Sequence, residues 1–249
     1  MPSLDDIAEL IAARRTGRGP LVVGVTGSVA VGKTTFAAAL AKRLMRPPGA
    51  TSVALVCTDG FLFDNATLEA RGLTLRKGFP ESYDAEALAL TLAGLRRRAT
   101  LVPAYSHVTY DIDPALAREI APPEVLIVEG LGLHDPKAVG LDLLIYLEAE
   151  EADLEAWFTA RFLALWRAAE HDPASFYARF RQMGEAETRA FAGDVWRIIN
   201  LPNLRDHIGP ARERADLVVR KGSDHRIEAV ACRYDASRSS SSAGMSSLV

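Results

Sequence analysis

The sequence has little cysteine, no excess of positive charge and no long apolar run. Its two cysteines, Cys57 and Cys232, lie far apart, and neither belongs to a C-x-x-C pair. This usage indicates a reducing compartment rather than a disulfide framework. A formal net charge of −3 supplies none of the basic surplus expected of a partner for nucleic acid or anionic membrane. No apolar stretch approaches the length of a membrane span.

The N-terminal residues also lack the pattern of a secretory signal peptide, because the chain begins with an acidic stretch around Asp5 and Asp6. We therefore expect a cytoplasmic protein. Its 249 residues, 49% of them hydrophobic, suffice for one large domain or two small ones with a sizeable core.

One motif stands out, and it falls between a predicted strand and a predicted helix. The apolar run Leu21–Thr26 predicts a strand, and Phe36–Leu44 predicts a helix. Such a junction is where a phosphate-binding loop forms, since backbone N–H groups and a helix N-terminus supply a fixed positive field. The residues between them read G-x-x-x-x-G-K-T and consist of Gly27, Ser28, Val29, Ala30, Val31, Gly32, Lys33 and Thr34, followed by Thr35.

The motif predicts a role for its last two residues. The Lys33 ammonium would reach the β- and γ-phosphates of a nucleoside triphosphate, and the Thr34 hydroxyl would bind Mg²⁺. The alternative is a chance glycine-rich turn. The strand before it and the helix after it favour the phosphate loop.

Further strands and helices alternate along the chain. This alternation predicts an α/β fold of the P-loop type, a mostly parallel sheet with helices on both faces. We expect a helix and linker over residues 1–20, one domain over residues 21–235, and a serine-rich disordered tail over residues 236–249. Strands are predicted at 52–57, 124–130, 143–147, 216–220 and 227–234, and helices at 84–98, 152–169, 173–181 and 185–199.

Two acidic residues follow predicted strands and belong to the edge where parallel sheets bind ligands. Glu129 ends an apolar strand, at the position of a Walker-B acid that holds Mg²⁺; the alternative is a cap or a solvated acid. Asp59 precedes Gly60 and could accept the proton of an attacking hydroxyl. Equally, it could shape the strand exit as an Asx turn.

Spacing alone does not decide the roles of two basic side chains. Arg161 lies among aromatic residues of a predicted helix, where it could clamp a transferring phosphoryl group. A surface ion pair would explain the same pattern. His107 could contact a ligand or be a core histidine.

Several longer motifs go beyond a generic phosphate loop. They are Asp59-Gly60-Phe61-Leu62-Phe63-Asp64-Asn65, Arg76-Lys77-Gly78-Phe79-Pro80-Glu81-Ser82-Tyr83-Asp84, Pro103-Ala104-Tyr105-Ser106-His107, Trp157-Phe158 and Lys221-Gly222. Together with the loop they resemble bacterial type I pantothenate kinases, in family order from about Leu21 to Arg233. The block that begins at Arg76 is far more specific than the phosphate loop.

The resemblance implies ATP-dependent phosphorylation of the pantothenate primary hydroxyl, the first step towards coenzyme A, with ATP and Mg²⁺ as cofactors. It makes Asp59 the general base and Arg161 the group that stabilises the transferring phosphoryl. It also implies a homodimer. Carried over by position, Tyr105, His107, Tyr110 and Asn200 line the acceptor pocket, and His225 lies near the adenine.

The chain departs from the family at several positions: Gly132 replaces an asparagine, and Phe158 replaces a tyrosine and so removes a hydroxyl from the pocket. A kinase for another small hydroxylated metabolite, such as a nucleoside, a sugar phosphate or glycerate, is therefore the second hypothesis. A GTPase-like switch is the third, but the chain has no N-K-x-D motif to read a guanine base.

Overall fold

The computed structural model describes residues 3–15, 17, 19–46 and 51–233. Its centre is a six-stranded sheet in the order β10-β9-β8-β1-β7-β2. All neighbouring strands are parallel except β10, which runs antiparallel to β9. The strands of this sheet are β1 (Leu21–Gly27), β2 (Val53–Cys57), β7 (Val125–Glu129), β8 (Leu143–Glu148), β9 (Leu217–Lys221) and β10 (Ile227–Cys232).

The predicted α/β fold with a mostly parallel sheet is thus confirmed. Every residue of β7 is buried, as expected of a strand with packed elements on both faces. Two small antiparallel pairs lie outside the main sheet. They are formed by β3 (Thr100–Val102) with β6 (Arg118–Ile120), and by β4 (Tyr105–Ser106) with β5 (Asp111–Ile112).

Seven α-helices lie in the described part of the chain, and none of them is long and apolar enough to cross a bilayer. Ser3 caps the first one through a reciprocal pair of hydrogen bonds with Asp6, which together form a capping box. The helices are α1 (Leu4–Ala13), α2 (Lys33–Leu44), α3 (Asn65–Ala70), α4 (Ala85–Leu95), α5 (Glu151–Ala168), α6 (Glu185–Val195) and α7 (Leu201–Asn203).

Three helix predictions need correction. The helix predicted at 173–181 is a short 3₁₀ segment, Phe176–Phe180. Its start is fixed by the Ser175 side chain, which accepts from the Tyr177 N–H, and by the Phe176 N–H, which donates to Val108 O of the β4–β5 hairpin. The helix predicted at 84–98 ends at Leu95. The helix predicted at 185–199 changes at Trp196 to a π-helix, consistent with a missing backbone donor at Pro202.

Residues 61–83, which show weak periodicity, include α3 and two 3₁₀ turns. The strand β6 was not predicted. The strand predicted at 227–234 ends at Cys232. The serine-rich tail predicted over residues 236–249 lies outside the described residues, which end at 233.

The junction between β1 and the neighbouring strand β8 has no room for a side chain at Gly27. This residue has a φ of +142°, and a Cβ there would overlap the carbonyl oxygen of Leu147. Because β1 pairs with β8 at this point, the close approach sets where the chain leaves the sheet.

We predict that Gly27→Ala lowers the free energy of unfolding by about 2–4 kcal/mol, from backbone strain and overpacking together. Urea denaturation of the purified variant would measure this. Gly184→Ala is the matched control, since a Cβ there meets no atom within 4 Å and its φ of −71° suits alanine. Equal free energies of unfolding for the two variants would contradict the close approach inferred at Gly27.

Candidate active site

The phosphate loop Gly27–Thr34 connects β1 to α2, as its motif predicts. Gly27, Ala30 and Gly32 have positive φ angles of +142°, +64° and +86°. Gly32 is the N-cap of α2, so the loop ends at the N-terminus of a twelve-residue helix. This backbone is shaped for an anion, because successive N–H groups and the helix dipole converge on one region.

Lys33 folds back over the loop. Its ammonium Nζ donates hydrogen bonds to the carbonyl oxygens of Ser28 at 2.9 Å and Gly27 at 3.2 Å. Burial lowers the pKa of Lys33, while the nearby carboxylates of Glu129 and Asp59 oppose that shift. The arrangement keeps a cation directly beside the space that phosphate oxygens would enter.

Thr34 and Glu129 meet although 95 residues separate them. The Thr34 hydroxyl donates to Glu129 Oε1 at 3.0 Å, and Glu129 is buried at the end of β7. Mg²⁺ in nucleotide sites is commonly held by one or two protein oxygens together with phosphate oxygens. A hydroxyl and a carboxylate in contact next to a phosphate loop fit that ligand set.

Asp59 lies in a 3₁₀ turn, Thr58–Phe61, directly after β2. Its Oδ1 accepts a hydrogen bond from the Tyr83 hydroxyl at 3.3 Å. Within the described residues no backbone N–H donates to this carboxylate, which removes the basis for the Asx-turn interpretation. The negative charge of Asp59 raises the pKa values of both Lys33 and Lys77, so the carboxylate lies near both ammonium groups.

A cavity of about 310 Å³ joins the two halves of the site. Thr34, Cys57 and Glu129 line one part of it, and Tyr105 and His107 line another. A cavity of this size accommodates a small metabolite. The residues expected at the metal and two of those expected at the acceptor therefore share one enclosure.

Aromatic rings surround the acceptor side. The Tyr105 ring packs edge-on against His107 and Tyr110, with centroids 5.3 and 5.7 Å apart. Tyr110 has a φ of +59° and stacks on Phe176 at 4.4 Å. His107 is therefore part of the cavity wall and not a core histidine, since its side chain is exposed and lines the cavity.

Asn200 is not joined to this aromatic group by any hydrogen bond among the described residues. It lies in the π-helical segment Trp196–Asn200, where its amide Nδ2 is buried without a partner. A buried amide nitrogen without an acceptor is costly, and a bound ligand could supply the acceptor.

Lys77 is a residue of this site to which sequence analysis gave no role. Its Nζ donates to Tyr110 O and to Asn65 Oδ1, each at 2.6 Å, and lies 4.9 Å from the centre of the Tyr105 ring. Burial lowers the pKa of Lys77, and Asp111 and Asp59 oppose the shift. The sequence did hold one signal for a role of Lys77, its position within the specific block that begins at Arg76.

Arg161 is exposed on α5 and has no ion pair within the described part of the chain, so the surface ion-pair interpretation is not supported. Its charge lowers the pKa values of Lys33 and Tyr110, which places it on the side of α5 that faces the loop and the aromatic residues. Arg161 does not line the 310 Å³ cavity.

His225 lies at the turn between β9 and β10, on the opposite side of the loop. Its ring stacks on Trp157 with centroids 3.9 Å apart, and its φ is +65°. Lys221 ties the turn to the phosphate loop, because its Nζ donates to Val31 O at 2.8 Å. An exposed ring in this position is suited to stacking on a planar base.

Comparison with known proteins identifies a family. A sequence model of the phosphoribulokinase/uridine kinase family matches residues 22–158. The pantothenate kinase of Sorangium cellulosum (strain So ce56) is 46% identical over 237 residues, which cover 91% of this chain and 77% of that protein. The pantothenate kinase of Xanthobacter autotrophicus (strain ATCC BAA-1158 / Py2) is 43% identical, with 89% and 73% covered.

Solved structures support the same fold. A protein from Silicibacter sp. TM1040 matches with a TM-score of 0.67 at 26% identity, over 86% of this chain and 96% of that one. The D-glycerate 3-kinase of Cryptococcus neoformans has a TM-score of 0.64 at 14% identity, over 93% and 99%. At this low identity the second match concerns the fold alone.

Lys221 ends β9 just before the turn that carries His225, and this position leads to a prediction about the pKa of His225. Burial and the Lys221 charge both lower the pKa of His225. Replacing the ammonium by a neutral chain of similar length, Lys221→Met, removes the repulsion, so the pKa of His225 should rise. An NMR titration of the imidazole Cε1–H resonances, assigned with His225→Gln, would measure it. Lys137→Met at an exposed position is the control and should leave His225 unchanged.

Proposed function

This chain belongs to the phosphoribulokinase/uridine kinase family and, within it, to the pantothenate kinases, and we propose that it transfers the γ-phosphate of ATP to the primary hydroxyl of pantothenate. The product is 4′-phosphopantothenate, and the reaction is the first step of coenzyme A biosynthesis. The observation that carries the assignment to chemistry is the shared cavity, whose lining includes Thr34 and Glu129 together with Tyr105 and His107.

The phosphate loop and Lys33 bind the donor. The ammonium now bonded to Gly27 O and Ser28 O is within reach of phosphate oxygens that enter the loop, and it would exchange two neutral acceptors for charged ones. His225, stacked on Trp157, offers its other face to the adenine. Both ends of the nucleotide thus have a partner on this chain.

Thr34 and Glu129 would hold Mg²⁺. The bound ion would offset the negative charge of the nucleotide phosphates and so lower the barrier to phosphoryl transfer. The Thr34 hydroxyl and the Glu129 carboxylate, in contact at 3.0 Å, lie at the end of the loop where those oxygens would lie.

Asp59 acts as the general base. As the acceptor oxygen forms its bond to the γ-phosphorus and the bond to the bridging oxygen of ADP breaks, the carboxylate takes the hydroxyl proton. Arg161 approaches from α5 and stabilises the equatorial oxygens of the transferring group. Lys77 adds a second cation on the acceptor side, close to Asp59.

The acceptor is held by Tyr105, His107, Tyr110 and Asn200. The rings supply apolar walls with polar edges, and the unpartnered amide of Asn200 supplies a donor for an oxygen atom of the substrate.

The cytoplasmic location, the homodimer and the division into domains remain predictions. Light scattering of the purified protein would measure the mass of the assembly.

A panel of acceptors tests the assignment. We expect purified protein to consume ATP with pantothenate, and much more slowly with uridine, glycerate or ribulose 5-phosphate, in a coupled assay for ADP. Preference for one of the other alcohols would overturn the acceptor assignment and leave the kinase class intact. ATP turnover that no acceptor stimulates would instead support a nucleotide switch.

Two substitutions test the catalytic roles. Asp59→Asn should lower kcat by at least about 10²-fold with little change in KM, because the general base acts in the transition state. Lys33→Ala should abolish turnover. Steady-state kinetics, with circular dichroism to confirm folding, would measure both. Near-normal kcat in Asp59→Asn removes that residue from the role of base, and preserved activity in Lys33→Ala contradicts the whole site.

A further inference from the structure

Tyr83 places a buried hydroxyl directly against the carboxylate of Asp59. The side chain is 7% exposed and follows a 3₁₀ turn, Pro80–Ser82. Its Oη donates to Asp59 Oδ1 at 3.3 Å. Burial raises the pKa of Tyr83 well above its ordinary value, and the charge of Asp59 adds to the shift. The phenol is therefore protonated at every working pH and is always the donor in this pair.

Thr58, the residue before Asp59, also has a buried hydroxyl in a hydrogen bond. The N–H of Gly132 donates to Thr58 Oγ1 at 3.2 Å, and the Thr58 side chain is fully buried. This bond holds the loop after β7 against the 3₁₀ turn that carries Asp59, next to the Tyr83 ring.

Position 132 packs closely against the tyrosine ring. A Cβ on Gly132 would be 3.1 Å from Tyr83 Cδ1, 3.2 Å from Tyr83 Cε1 and 3.2 Å from Thr58 Cβ. Gly130, with a φ of +145°, is more strongly constrained, since a Cβ there would overlap the Thr58 hydroxyl. The two glycines after β7 thus form the floor on which Thr58 and Tyr83 pack.

We infer that Tyr83 is a positioning residue for the catalytic base: it binds one carboxylate oxygen of Asp59 and leaves the other to the acceptor hydroxyl. The inference rests on the proposed function of Asp59. Tyr83 keeps its own proton throughout. The proton of the acceptor hydroxyl goes to Asp59 as the new P–O bond forms and ADP leaves. What Tyr83 contributes is a single orientation of the carboxylate, which otherwise rotates about its side-chain bonds.

The direct test removes the hydroxyl and keeps the ring. Tyr83→Phe should lower kcat by about tenfold to a hundredfold, the loss expected for one hydrogen bond to a charged group. The KM values for ATP and pantothenate should change by less than about twofold, because the inferred role of Tyr83 acts through Asp59 and not on substrate binding. Tyr146→Phe is the matched control. The Tyr146 side chain is likewise buried, at 4% exposure, but makes no hydrogen bond with Asp59, and the kcat of this variant should be unchanged.

A second pair of variants acts without altering Tyr83. Thr58→Val removes the hydroxyl that accepts from the Gly132 N–H, at nearly constant volume, and Thr58→Ser keeps it. We expect kcat to fall in the valine variant and to be largely restored in the serine variant, with ATP affinity, measured by calorimetry, unchanged in both. This pair keeps the inference testable if Tyr83→Phe fails to fold.

The outcomes distinguish failure of the positioning role of Tyr83 from failure of the proposed role of Asp59 as general base. If Asp59→Asn, assayed in parallel, retains activity, then Asp59 is not the base and the proposed function of that residue fails. If Asp59→Asn is inactive while folded Tyr83→Phe keeps kcat within about twofold of the parent, only the positioning role is overturned. A rise in KM equal to the fall in kcat would also overturn it, since it would indicate a structural role.

Discussion

The register of three parallel strands is the constraint on which the site depends. β7 lies between β1 and β2, and Glu129 at its end pairs with Val25 on one side and Cys57 on the other. Because parallel strands in register end at the same edge, the loop that follows β1, the acid that ends β7 and the turn that follows β2 meet there. A shift of one residue in β7 would turn the Glu129 side chain to the other face of the sheet.

Buried charges at this edge depend on one another. Desolvation disfavours the ammonium of Lys33, and the carboxylates of Glu129 and Asp59 favour it. The same carboxylate of Asp59 acts on Lys77 from the acceptor side. Charges that compensate each other in this way can be held ready in a partly dry site, where they act on phosphate more strongly than they would in water. Donor and acceptor halves are thereby coupled electrostatically as well as by the cavity.

Glycines allow close packing at several loops of the site. Gly27 lets the chain leave β1 against β8, and Gly130 and Gly132 admit Thr58 and Tyr83 beside Asp59. At Gly27 and Gly130 a neighbouring carbonyl or hydroxyl oxygen lies too close for a Cβ, and at Gly132 a Cβ would be in tight contact with the Tyr83 ring.

Local pattern determined a great deal by itself. Apolar runs and a glycine motif established the strands, the phosphate loop and the class of fold, because strand burial and loop geometry are encoded by neighbouring residues. The ends of helices were less accurate: the helix predicted at 173–181 is only the 3₁₀ segment Phe176–Phe180, whose first N–H bonds to a distant hairpin. Spacing also left Asp59 open between a turn and a base. Only the tertiary structure paired Asp59 with Tyr83, Lys77 with Tyr110 and Thr34 with Glu129, since each pair joins segments that meet only when the sheet has formed.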